Sequence, residues 1–108
     1  MNKLFILYLI PVFSFSQKIY TVNHAYQADL KLIAVDHAYQ SELDVYKVDY
    51  AYQSGNNNGK WYFVDHAYQA DIRVYFVDHA YQADLKIYFV NYAYQAGWND
   101  NTKKHLLY

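Results

Sequence analysis

Three Asp-His steps, Asp36-His37, Asp65-His66 and Asp78-His79, recur along this chain, and His24 follows Asn23 in the same setting. A carboxylate beside an imidazole can orient a general base, and stacked copies can assemble a metal site. The histidine slot does not demand that chemistry, because it holds Tyr50 and Tyr92 in two further copies. An aromatic packing position that can hydrogen-bond accounts for all six. Asp29, Glu42, Asp71 and Asp84 have the residue type of a glycosidase acid–base pair, yet they are copies of one turn position. Asn56, Asn58, Asn99 and Asp100 offer oxygen ligands at a spacing and charge short of a calcium loop. The chain has no Gly-rich phosphate loop, nucleophile elbow or zinc-binding helix motif. The reading is of a non-enzyme with no cofactor and no metal; a hydrolase using the Asp-His pairs is the enzymatic alternative.

These residues belong to a repeat. Ala-Tyr-Gln begins at Ala25, Ala38, Ala51, Ala67, Ala80 and Ala93, at spacings of 13, 13, 16, 13 and 13 residues. The long step carries the turn-forming run Ser54-Gly55-Asn56-Asn57-Asn58-Gly59. Residues 18–59 align with 60–101 at an offset of 42, with 24 of those 42 positions identical. The chain is therefore two halves of three units, and each half ends in a Gly/Asn loop.

The slots of the unit suggest how it folds. The first is charged in every copy (Lys18, Lys31, Asp44, Lys60, Arg73, Lys86) and should face water. The second (Ile19, Leu32, Val45, Trp61, Val74, Ile87) is always apolar and should be buried. The third is tyrosine except at Ile33, and the fifth is valine six times. The fourth accepts Thr21, Ala34, Lys47, Phe63, Phe76 and Phe89, which reads as a surface position. Such a run of β-branched and aromatic residues favours a strand. The second and fifth slots have opposite parity, so both strand faces should be partly buried, with chain passing on either side. Turns are expected at the Asp/Asn slot before the aromatic residue and at the Ala/Ser-Asp/Glu step after glutamine. Within the Ala-Tyr-Gln unit, the six alanines are expected at close chain crossings and the six tyrosines in the core. The six glutamines are expected to be buried and fully paired, since an unpaired buried amide costs about 1–3 kcal/mol.

Residues 1–16 read as a secretion signal: Lys3, an apolar run from Leu4 to Phe15, then Ser14 and Ser16 before Gln17. That run is shorter than the roughly 20 residues of a membrane span. The mature domain would be residues 17–108, exported to the periplasm or outside the cell, without a stable membrane anchor. No cysteine is present, so no disulfide supports it. A net charge of −1 with no basic cluster argues against nucleic acid. Tyrosine is the compositional outlier, with 15 residues.

Lys86-Ile-Tyr-Phe-Val-Asn-Tyr-Ala-Tyr-Gln-Ala-Gly-Trp98, followed by Lys103-Lys104-His105-Leu106-Leu107-Tyr108, resembles the septoil knot domain family. The resemblance covers about Lys18 to Tyr108. It implies a small all-β domain whose backbone is tied in a seven-crossing torus knot, and it brings no activity. Two similar halves suit two circuits about one axis.

The expected function is non-catalytic: an exported, monomeric binding or interaction domain with an unidentified protein or glycan partner. The candidate surface is where the copies disagree: Phe63, Phe76, Phe89 and Trp98, with Asn56, Asn57 and Asn58. For the three phenylalanines, packing against the tail (Leu106, Leu107 and Tyr108) is the alternative. A purely structural, kinetically stable envelope component is the alternative role.

Overall fold

The computed structural model describes residues 17–107. The signal read over residues 1–16, and Tyr108, lie outside them. Six five-slot runs form strands as expected: β1 (Gln17–Thr21), β2 (Leu30–Ala34), β3 (Leu43–Lys47), β4 (Lys60–Phe63), β5 (Ile72–Phe76) and β6 (Leu85–Phe89). A two-residue strand, β7 (Gly97–Trp98), and a 3-10 helix, Asn101–Leu107, follow.

The six long strands are all parallel and run in the order β4-β1-β5-β2-β6-β3, with β3 pairing back onto β4. The sheet is thus a closed barrel. Strands of the first half alternate around the ring with strands of the second. The two halves are two circuits, the second laid into the gaps left by the first. Antiparallel β7 covers the exposed start of β3, pairing Leu43 with Trp98 and Asp44 with Gly97.

Register explains how so short a repeat builds a parallel barrel. Each strand is displaced by two residues from its ring neighbour. Thr21 at the end of β1 lies level with Val74 of β5, and Val74 lies level with Leu30 at the start of β2. Ala34, Ile87 and Leu43 repeat the relation one unit on. The next strand therefore starts at the height where the previous one ended. A parallel crossover ordinarily needs a dozen or more residues, most often a helix, to return to the bottom of the sheet. Here eight residues, Val22 to Asp29, suffice. They only step sideways over one strand, about 10 Å at ordinary strand spacing. Each crossover is an arch crested by a single 3-10 turn of Ala-Tyr-Gln.

The strand interior is built by parity. The second slot is fully buried in all six strands, with Trp61 the largest member. Leu30, Leu43 and Leu85 add a layer at the strand starts. The opposite face is half-buried because arches run across it; Ala25–Gln27 lies against β5 and Ala38–Gln40 against β6. This is the two-sided burial expected from the valine slot. All six valine N–H groups also donate to the second-slot carbonyl of a ring neighbour, as Val22 to Val74 O at 2.9 Å and Val77 to Leu32 O at 2.8 Å.

The acidic slot ties each arch to the strand it crosses. Asp29 Oδ2 accepts from Arg73 N at 2.9 Å, and the Asp29 N–H donates to Arg73 O at 2.8 Å. Glu42, Asp71 and Asp84 clamp Lys86, Lys18 and Lys31 in the same way. These carboxylates are structural clasps.

The longer loop marks where the first circuit hands over to the second. β3 to β4 is a step to the adjacent ring position, where other steps skip one. Gly59 turns there at φ +88°, and a Cβ on it would stand 2.4 Å from the Asp44 carbonyl oxygen. By contrast Ala80, placed at a close crossing by its invariance, is exposed on an arch.

We predict that Gly59→Ala destabilises the domain by at least about 1–3 kcal/mol, through overpacking and left-handed strain. Ala80→Leu should stay within about 0.5 kcal/mol of wild type. Urea melts of the two variants check both values. Interleaved circuits also impose a kinetic prediction, since unfolding must withdraw an end through the other circuit. Unfolding extrapolated to water should be slower than about 10⁻⁶ per second, the slow end for ordinary small domains. Stopped-flow and manual-mixing chevrons measure it.

Candidate binding surface

The invariant tyrosines are not in the core. Tyr26, Tyr39, Tyr52, Tyr68, Tyr81 and Tyr94 are 82–85% exposed, and all six glutamines are exposed with them. Invariance suggested core packing, but the arch geometry turns the crest outward. Each crest is held by its backbone: the glutamine N–H donates to the carbonyl of the aromatic residue before alanine, 2.9–3.0 Å in all six copies. No tyrosine side chain is needed for that turn. A signal for exposure was available in the sequence. Ala-Tyr-Gln lies between two predicted turns, and a short segment between two surface turns runs over the surface.

Every crest tyrosine stacks on the residue two places earlier. The pairs are His24/Tyr26, His37/Tyr39, Tyr50/Tyr52, His66/Tyr68, His79/Tyr81 and Tyr92/Tyr94. Their centroids lie 5.3–5.8 Å apart and their planes within 10–15°. These are offset-stacked pairs. The histidines are thereby parts of flat aromatic platforms. Among the described residues no three His, Asp or Glu side chains gather in a way that could hold a metal ion.

Beside the arches lie grooves that repeat with the unit. One is lined by Tyr75, Val77, Asp78, Tyr81 and Gln82 of one unit, with Lys31 from the next ring strand and Ala25 from the arch that crosses β5. The same slots, without the crest tyrosine, line a second groove at Tyr20, Val22, Asn23, Gln27, Arg73 and Ala67. A third is formed at Tyr88, Val90, Asn91, Tyr94, Gln95, Asp44 and Ala38. Their volumes, about 410 to 510 Å³, fall in the range of small-ligand sites. Glutamine is freest in the first two units of each half. In the third, Gln53 and Gln95 accept from the N–H groups of Tyr50 and Tyr92 at 3.0 and 3.1 Å, which leaves their NH₂ groups as donors.

The residues singled out where the copies differ have other places. Phe63, Phe76 and Phe89 share the parity of the buried second slot and point inward at the strand ends, half-buried against the core. The outward placement of that slot is corrected by this register. Around the mouth they alternate with Thr21, Ala34 and Lys47, whose smaller or flexible side chains leave room. Phe89 contacts Phe63 and Phe76 at 6.5 Å between centroids. The Lys47 ammonium sits 4.6 Å from the Phe89 ring centre and 5.2 Å from that of Phe63. Interleaving explains the asymmetry between halves: three large residues close a mouth that six would overfill. The tail closes the opposite end, with Leu107 buried in the core cluster.

That opposite end is polar and tightly bonded. Asn57 is 2% exposed, adopts φ 58°, and donates to Lys104 O at 3.0 Å. The Trp98 indole donates to Asn57 O at 3.0 Å and Oδ1 at 3.1 Å. Buried Gln17 accepts from the Trp61 indole at 3.0 Å and donates to Leu107 O at 3.2 Å. Asn57 and half-buried Trp98, expected at an interaction surface, instead help lock Gln17, the β3–β4 loop and residues 98–107 together; Asn56 and Asn58 remain exposed. Asp100 caps the final 3-10 helix. The Thr102 hydroxyl, the Thr102 N–H and then the Lys103 charge hold its carboxyl below the usual carboxylate range.

We predict that Asn57→Ala costs about 1–3 kcal/mol, chiefly by stranding the Lys104 carbonyl, because the Trp98 indole keeps the Asn57 backbone carbonyl as its acceptor. Chemical denaturation measures the loss, and a Trp98 emission shift reports the opened network.

Comparison with curated proteins found no match, and comparison with solved structures found none. A family comparison matched residues 16–99 to the 7(1) septoil knot domain. With six staggered repeats and two interleaved circuits beneath that match, the chain belongs to the septoil knot domain family, as an all-β knotted domain of two three-unit halves.

Proposed function

We propose that the protein is an exported, non-catalytic, multivalent binding domain that engages its partner through the crests of its six arches. The observation that carries this reading is the exposure of the same tyrosine at 82–85% in every copy. The two slots before alanine, also exposed in every copy, do drift: one reads Asp or Asn, and the next reads His or Tyr. Crest tyrosine and glutamine do not drift, although neither is needed to pack the barrel. A requirement outside the fold explains that. Six equivalent positions on a rigid closed barrel favour avidity, in which individually weak contacts add without reorganisation.

Export rests on the signal pattern of residues 1–16. Among the described residues no helix is long and apolar enough to cross a membrane. The half-exposed mouth of Phe63, Phe76 and Phe89 is a second candidate surface, supported by the Lys47 ammonium over its rings.

A variant with all six crest tyrosines changed to serine tests the assignment. Its folding free energy should change by no more than about 0.5 kcal/mol per site. Its co-sedimentation with envelope material of the producing cell should fall by at least about a hundredfold, the low end of a multivalent gain. Undiminished binding would move the site to the mouth, and a folded wild type that binds no envelope material would favour the purely structural role.

A further inference from the structure

We propose that the inter-arch grooves are sugar-binding subsites, and that the ligand is a neutral polysaccharide built of pyranose units. This deepens the arch-binding reading and rests on it. The groove at Tyr75 shows the chemistry. Its floor is the half-buried body of Tyr75 with Val77. One wall is Tyr81, 85% exposed and stacked at 10° on His79. Four further polar side chains line it: those of Tyr75, Asp78, Gln82 and Lys31. Among the described residues none of the four side chains has a hydrogen-bond or ion-pair partner in the protein.

That set selects among ligands. A pyranose presents a C–H face that lies on an aromatic ring, with hydroxyls at its edge that both donate and accept. The groove offers the ring, a donor-only ammonium, an acceptor-only carboxylate, and an amide and a hydroxyl that do both. Nucleic acid would require a basic surface, and the chain carries a net charge of −1. A protein partner would be expected to fill an aliphatic pocket, whereas most of the side chains lining this groove carry a polar group. The first-slot residue is Lys31 in this groove, Arg73 in the second and Asp44 in the third, so no single ligand charge suits all three. An uncharged ligand suits them all. Repetition of the slots around the barrel fits a polymer, whose successive or neighbouring chains can occupy several grooves at once.

Retention of the purified protein on insoluble cellulose, chitin, xylan and β-1,3-glucan tests this, with soluble oligosaccharides as competitors. Wild type should be retained on at least one of them and displaced by the matching oligosaccharide. Gln82→Ala alone should weaken retention less than threefold. Gln→Ala at Gln27, Gln40, Gln69 and Gln82 together should weaken it by at least about a hundredfold with the melting temperature unchanged. Raising the salt to about 0.5 M should leave retention within about threefold, since a neutral ligand makes no ion pair for the salt to screen. If the fourfold variant does not fold, the pair Gln69→Ala and Gln82→Ala replaces it, with an expected loss of at least tenfold. No retention on any polysaccharide overturns the glycan assignment; if envelope binding still depends on the crest tyrosines, the arch reading survives it. Retention indifferent to the glutamine changes overturns the groove as the subsite.

Discussion

A two-residue stagger between neighbouring strands is the constraint on which the rest of this structure depends. Closing a sheet into a barrel demands a fixed stagger around the ring. In this chain the same stagger lifts each new strand to the height at which the last one ended. The connection then has only to step over one strand. That allows an eight-residue arch in place of a helix and sets the 13-residue repeat. It also leaves every second ring position vacant after three units. The second half occupies those vacancies, and the entangled path follows from that filling.

Closure and capping divide the remaining work between the two ends. A closed ring has no edge strands to protect, so the liabilities lie at the mouths. At the strand ends, three phenylalanines alternate with Thr21, Ala34 and Lys47 and cover the core. At the strand starts, Gln17, Asn57 and Trp98 bond with one another's neighbours and with the tail carbonyls. That network joins residues far apart in sequence. It gives a cysteine-free domain a substitute for the cross-links that small exported domains often carry.

The Ala-Tyr-Gln crest is the one invariant feature that stability does not require. Backbone hydrogen bonds hold the turn, and the clasp at the acidic slot holds the arch to the strand below it. The tyrosine ring stacks on its neighbour and otherwise faces solvent. Sixfold retention of such a ring, with a glutamine amide beside it, is the ground of the arch-binding proposal. In the Asp-His steps the histidine belongs to the same aromatic platform.

Much of the fold was legible because it follows from local pattern. The five-slot strands, the buried second slot, the turn positions and the two halves all come from residue type and spacing, which act within one unit. The family resemblance supplied the knot, which no local pattern specifies. The fate of Asn57 and the fit of the fourth slot were not legible, because each depends on partners from another circuit, whereas the crest's exposure was signalled only by its place between two turns. Phe63, Phe76 and Phe89 point inward by the parity of the second slot, and they fit there because strands from the other half, with small or flexible residues, stand between them. Asn57 is buried only because residues 98–107 return beneath it. Tyr81 is outward only because the crossover passes over an intervening strand. The sequence by itself therefore determined the unit and its count, while the tertiary structure decided which invariant residues are scaffold and which are surface. The physical reason is that burial depends on what the second circuit lays against the first.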